Sequence, residues 1–202
     1  MMPVAPKPEP PCFDVEVRQR GLLFLQSTPS PNYKQFASHA YWVKATSDML
    51  AAYDNTCAYT GCRIHLDHAI DHFFPKSLYP QLAYEWSNYR LCMSKINQYK
   101  GQNDRILDPF NIQEGWFKLD FPGCYVVAGE NLSTQVLPKV ELTIEKLKLN
   151  DNQLVVLRYE IVSSYVDGEC EFKILQKYYP YVAFEITRQG LTTENLRSIF
   201  PR

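Results

Sequence analysis

Residues Ile70-Asp71-His72-Phe73-Phe74-Pro75-Lys76-Ser77 set a carboxylate beside an imidazole and follow the pair with a proline-bounded loop. Downstream, Glu85-Trp86-Ser87-Asn88-Tyr89-Arg90-Leu91 puts a large apolar anchor two residues before an amide. Cys92-Met93-Ser94-Lys95-Ile96-Asn97-Gln98-Tyr99-Lys100-Gly101 then runs into a short helix ended by glycine. A strand, a loop, a second strand and a helix are expected in that order. Asn88 follows Asp71 by seventeen residues and Asn97 follows Asn88 by nine.

Each residue type in these blocks has a chemistry. Asp71 can give an oxygen to a hard cation such as Mg²⁺, which takes few protein ligands and keeps its waters. His72, with an ordinary pKa near 6.5, can take a proton from water at neutral pH. An isolated Asp-His pair carries little information, and Asp67-His68 is a second one four residues upstream. Only the first pair is followed by Phe-Phe-Pro-Lys-Ser, so Asp67-His68 ranks behind it.

Taken together, the blocks resemble the HNH (ββα-metal) endonucleases, whose pattern joins an Asp-His-Phe-x-Pro-Lys-Ser block, a Trp-x-Asn block and an Asn-x-x-Lys-Gly block. The resemblance implies an α+β fold with a ββα-metal core around residues 55 to 110. It implies that Asp71 and Asn97 hold one divalent cation, Mg²⁺ or Mn²⁺. His72 is then the general base, and Asn88 belongs to the catalytic group as the residue that fixes the loop carrying His72. Lys76, Arg90, Lys95 and Lys100 are the candidates for backbone phosphate contacts. Across residues 71 to 105 five basic side chains face three acidic ones, a local excess on a chain whose net charge is -1. Bulk charge therefore does not grip nucleic acid here, and DNA binding needs this patch or a partner. RNA stays open beside DNA.

One departure concerns the two Cys-x-x-Cys knuckles that many such proteins use for zinc. Cys57 is followed three residues on by Thr60, and Cys92 by Lys95. With two of four ligands missing, structural Zn²⁺ is not expected, and the thiols are read as small buried hydrophobes.

Outside the core, prolines at 3, 6, 8, 10 and 11 and the Ser-Thr-Pro-Ser-Pro stretch at 27 to 31 predict an extended arm over residues 1–32. Within it, Gly21-Leu22-Leu23-Phe24-Leu25 is apolar enough to dock. Residues 33–118 are expected to hold the nuclease core behind a helix from Tyr33 to Tyr53 whose apolar face includes Phe36, Ala40, Val43 and Met49. Residues 119–202 are expected to complete a hairpin turning at Pro122-Gly123 and then to form helices. One starts near Pro138, one is capped by Asn150 with Leu154, Leu157, Ile161 and Tyr165 on one face, and a last spans 171 to 189, broken at Pro180. Six cysteines, a proline-studded start and no long apolar run suggest a cytoplasmic protein with reduced thiols and no membrane contact.

In its longer form, through Leu107-Asp108-Pro109-Phe110 and the Trp116 hairpin, the chain resembles retron-type HNH proteins and the nuclease subunit of Septu-like anti-phage defence systems. That resemblance implies an ABC/SMC-like ATPase partner, and the proline-rich arm with its one apolar patch reads equally as a tether to a partner or as a disordered end. The lost knuckles and the near-neutral charge point to a different class, a non-enzymatic binding subunit on a degenerate HNH scaffold.

Overall fold

The computed structural model describes residues 1–200. Contacts divide it into two units, one of Ala5–Cys57 with Ile64–Asp104, the other of Met1–Val4, Ala58–Arg63 and the chain from Arg105 onward.

In the first unit helix begins as soon as the opening prolines stop. A π-helical turn over Asp14–Arg18 runs directly into helix α1, Gln19–Ser27. Val17, Gly21 and Phe24 fall at i, i+4 and i+7 and are buried. This corrects the expectation of an extended arm through residue 32. Proline excludes helix only where it stands, and none occurs between Pro11 and Pro29. Gly21 is required by close approach, since a Cβ there would sit 2.0 Å from the Tyr84 ring. Arg18 fixes the segment through Asp14 at 2.8 Å, Glu85 at 3.0 Å and Glu9.

The helix expected from Tyr33 to Tyr53 is three pieces. Helix α2, Tyr33–Ser38, opens on a capping box in which Asn32 and Gln35 satisfy each other's backbone N–H groups. A 3-10 turn, Tyr41–Ala45, and helix α3, Thr46–Ala52, follow. The break falls at His39, whose ring stacks on Phe24 at 3.9 Å and whose carbonyl accepts from the Tyr84 hydroxyl at 2.9 Å. Those contacts outweigh helical continuity and leave Val43, expected inside, 59% exposed.

Strand β1, His68–His72, pairs antiparallel with β2, Tyr89–Met93, so that Asp71 lies opposite Arg90 and His72 opposite Tyr89. Helix α4, Ser94–Lys100, follows at once and packs on both strands, burying Ile96. Gly101, with φ +53°, lets the chain leave the helix at a position an L side chain resists.

In the second unit strands β3, Phe117–Asp120, and β4, Tyr125–Ala128, form the expected hairpin. Helices α5 (Leu137–Lys146), α6 (Asn152–Val166), α7 (Phe172–Tyr178), α8 (Pro180–Arg188) and α9 (Thr193–Ile199) follow. Pro180 opens α8, where a missing N–H costs nothing. Two expectations shift. Asp151, not Asn150, caps α6, because the Asn150 amide is engaged with the N–H and C=O of Val126 at 2.7 and 2.8 Å. The buried stripe of α6 is Leu154, Arg158, Val162 and Val166, displaced from the expected face. Arg158 is tolerated there because it donates to the carbonyls of Cys124 and Leu149. The fold is thus mixed helix and small antiparallel sheets. Among the described residues no helix is long and apolar enough to cross a membrane.

Candidate active site

Asp71 and His72 end β1 at its buried edge, where the ladder to β2 fixes their directions. Asn97 sits on α4. All three line one cleft of about 260 Å³. Its other walls include Lys76 and Ser77 from the loop after β1, Tyr33 and Phe36 from α2, and Gln102.

His72 is 5% exposed and its Nε2 lies 2.9 Å from the carbonyl of Ala83. A carbonyl only accepts, so Nε2 carries the proton and Nδ1 keeps a lone pair. Trp42 and Tyr89 meet the ring edge-on at 4.8 and 5.2 Å and hold its plane. Burial, then the charge of Lys76, hold the imidazole pKa down at about 3, with Lys100 adding to the effect and the Ala83 carbonyl opposing it. At neutral pH the ring is an uncharged base.

That shift makes the stability of the fold depend on pH. Unfolded chain binds a proton at His72 below pH about 6.5, whereas the fold refuses it until about pH 3. Its contribution to stability is complete above pH 6.5 and is lost as pH falls, by at most about 1.4 kcal/mol per pH unit. Urea midpoints measured from pH 7 to 4 should fall more steeply for wild type than for His72→Gln. Equal slopes would contradict the buried neutral ring.

Asn88 is 3% exposed and stands outside the cleft wall. Its Nδ2 donates to the carbonyls of Phe74 and Leu82, both at 3.0 Å, and its Oδ1 accepts from the Phe74 N–H at 2.8 Å. One side chain therefore ties the loop after His72 to the turn before β2. Asn88 is a positioning residue. Asn88→Ala is expected to cost about 2–4 kcal/mol, since three backbone groups lose partners. Thermal unfolding measures the loss, and faster hydrogen exchange at the Phe74 amide assigns it to this loop.

Asp71, 2% exposed, accepts from the Lys100 ammonium at 2.9 Å. Lys100 has no exposed side-chain surface and also donates to the His72 carbonyl at 2.8 Å. Its expected phosphate contact is therefore corrected. A lysine at the last turn of α4 points inward because a buried carboxylate and carbonyl together outbid water. Arg90 is corrected likewise. It is 3% exposed, its Nη1 donates to the carbonyls of Ser87 and Tyr89 at 2.8 Å each, and its guanidinium lies over the Phe73 ring. Lys76 is half-buried on the cleft wall with its ammonium 5.0 Å from the Trp42 ring, and half-buried Lys95 lies over Tyr99. Asp67 and His68 are exposed and do not line the cleft.

The cleft's donors suit a hard cation and not a soft one. Asp71 and Asn97 offer oxygen, with room beside them for water. Among the described residues no three His, Cys, Asp or Glu side chains group as metal ligands. Cys57 and Cys92 are buried, and the Cys92 thiol donates to the Ala69 carbonyl.

Sequence reasoning missed Lys100 as the partner of Asp71, and it missed Trp42 and Tyr33. Tyr33 is 83% exposed at the cleft, and only its neighbourhood to the capping Asn32 marks it in the sequence. No family model matches the chain, and no curated protein matches it. The chemistry of the cleft must be read from its own residues.

Proposed function

We propose that this chain is a divalent-metal-dependent endonuclease that hydrolyses phosphodiester bonds of DNA. The observation that carries the reading is the convergence of Asp71, His72 and Asn97 on one cleft, with the His72 lone pair on Nδ1 fixed by the Ala83 carbonyl. Asp71 and Asn97 would hold Mg²⁺ or Mn²⁺, and the cation would stabilise charge on the phosphate and on the departing 3′ oxygen. His72 takes the proton of the attacking water. A phosphodiester in the cleft sets a negative charge against Lys76 and Lys100 and relieves their part of the effect on the ring, while burial, the larger cause, remains. Lys76, on the cleft wall, is the phosphate contact the geometry favours, and Asn88 keeps the loop in place.

The chain's net charge of -1 supports a need for help in binding. The ABC/SMC-like ATPase of the defence-system resemblance would supply it. Val15, Leu22 and Leu23, exposed on the first helical segment, offer it an apolar surface.

A second reading, a non-enzymatic binding subunit, is favoured by one observation: the only carboxylate on the cleft wall is already paired with Lys100. Supercoiled plasmid separates the two. With Mg²⁺ or Mn²⁺ the nuclease converts it to nicked or linear DNA, chelator stops the reaction, and Asn97→Ala raises the metal concentration required. Retention of plasmid without a strand break, at every metal concentration and with the partner present, favours the binding subunit.

A further inference from the structure

The Asp71 carboxylate enters the cleft from a fully buried ion pair, and that pairing bears on how a cation can arrive. Lys100 has no exposed side-chain surface, and its ammonium is held by two acceptors, Asp71 Oδ1 and the His72 carbonyl. It is a fixed component of the fold and not a mobile surface charge. Lys100 is not itself among the residues lining the cleft, and Lys76, which is, adds a second ammonium. Asp71 is the sole acidic residue among those lining the cleft, so the local balance is one negative charge against two positive ones. A bare divalent cation entering this field gains one carboxylate whose charge Lys100 already meets at 2.9 Å, with the Lys76 ammonium also on the wall. A phosphodiester entering it meets the opposite field, and it carries the negative charge and oxygens that the protein's donor set lacks.

We propose that Lys100 is a resident counter-cation of Asp71, so that the cleft takes up its divalent cation together with a phosphodiester and not before it. The inference rests on the nuclease reading and deepens it. It makes the substrate part of the cation site and leaves the free protein with only weak hold on metal. Linkage makes the effect mutual. Whatever factor the phosphodiester adds to cation affinity, the cation adds to nucleic-acid affinity. The arrangement also keeps the isolated subunit from assembling a loaded site until nucleic acid is delivered.

The test is a Mn²⁺ titration followed by electron paramagnetic resonance, on full-length protein carrying His72→Ala so that a duplex oligodeoxynucleotide stays intact. Without the oligonucleotide, Mn²⁺ binding is expected to be weak. With it, affinity should rise about tenfold or more, the size of change one neighbouring charge makes to an ionic equilibrium. An oligonucleotide with uncharged methylphosphonate linkages should give no rise. Fluorescence anisotropy of the labelled duplex should show the same factor in reverse when Mn²⁺ is added. Lys100→Met, added to the same background, should tighten Mn²⁺ binding in the absence of oligonucleotide, and Lys100→Arg, which keeps the charge, should not. Tight Mn²⁺ binding that is indifferent to oligonucleotide overturns the proposal and leaves the nuclease reading standing. No Mn²⁺ binding in either arm overturns both. The oligonucleotide arms decide the matter even if Lys100→Met does not fold.

Discussion

Replacing His72 by alanine is expected to lower Mn²⁺-dependent plasmid cleavage by about 10²–10⁴-fold, the range a positioned general base contributes. The effect should be this large because no other group on the cleft wall can replace it. Asp71 is engaged with Lys100, and Lys76 is a cation. The ring also fills space between Trp42 and Tyr89, so alanine leaves a cavity as well as removing a base. His72→Gln, which fills more of that space, separates the two effects. Both variants should lose cleavage, and His72→Gln should keep a unfolding midpoint closer to wild type. Cleavage by His72→Ala at the wild-type rate would show that another group activates the water.

Lys100→Met is expected to destabilise the fold by about 3–5 kcal/mol, because it leaves the Asp71 carboxylate buried without its counter-charge. The His72 carbonyl loses a donor at the same time. Combining it with Asp71→Asn should cost less than the two single losses added together, since the pair then leaves no uncompensated charge. Urea denaturation of the four proteins measures the coupling directly. A Lys100→Met midpoint equal to wild type would mean that the ion pair contributes nothing to stability.

These two side chains also mark how far the site was legible in the sequence. Asp71, His72 and Asn97 are singled out by the resemblance of their blocks to the HNH pattern, and the strand, strand and helix that carry them follow from short apolar runs bounded by Pro75 and Gly101. The loop-anchoring role of Asn88 is likewise what that resemblance implies, and its amide bonds both backbone groups of Phe74. Lys100 is not legible in this way. A lysine at the end of a helix reads as solvated, and its partner is 29 residues away, so only the folded β1 and α4 bring them together. Arg90 and Arg158 were hidden by the same rule, and in both the guanidinium finds backbone carbonyls that no periodicity reveals.

The fold shows a parallel division. The β3–β4 hairpin and the break before α8 are written in Pro122-Gly123 and Pro180, whose effects are local. The helical segment over residues 14–27 was obscured by the prolines on either side of it, although Val17, Gly21 and Phe24 already had helical spacing. The interruption at His39 had no local signal, because it is made by Phe24 and Tyr84 from elsewhere in the chain.

An end-labelled DNA duplex incubated with purified protein and Mn²⁺, alone and with the proposed ATPase, reports phosphodiester hydrolysis through its products. Hydrolysis at the cleft predicts broken strands ending in 3′-hydroxyl and 5′-phosphate groups, formed only while the cation is present. Duplex that stays whole while bound to the protein, at every cation concentration and with the partner added, would contradict the nuclease reading.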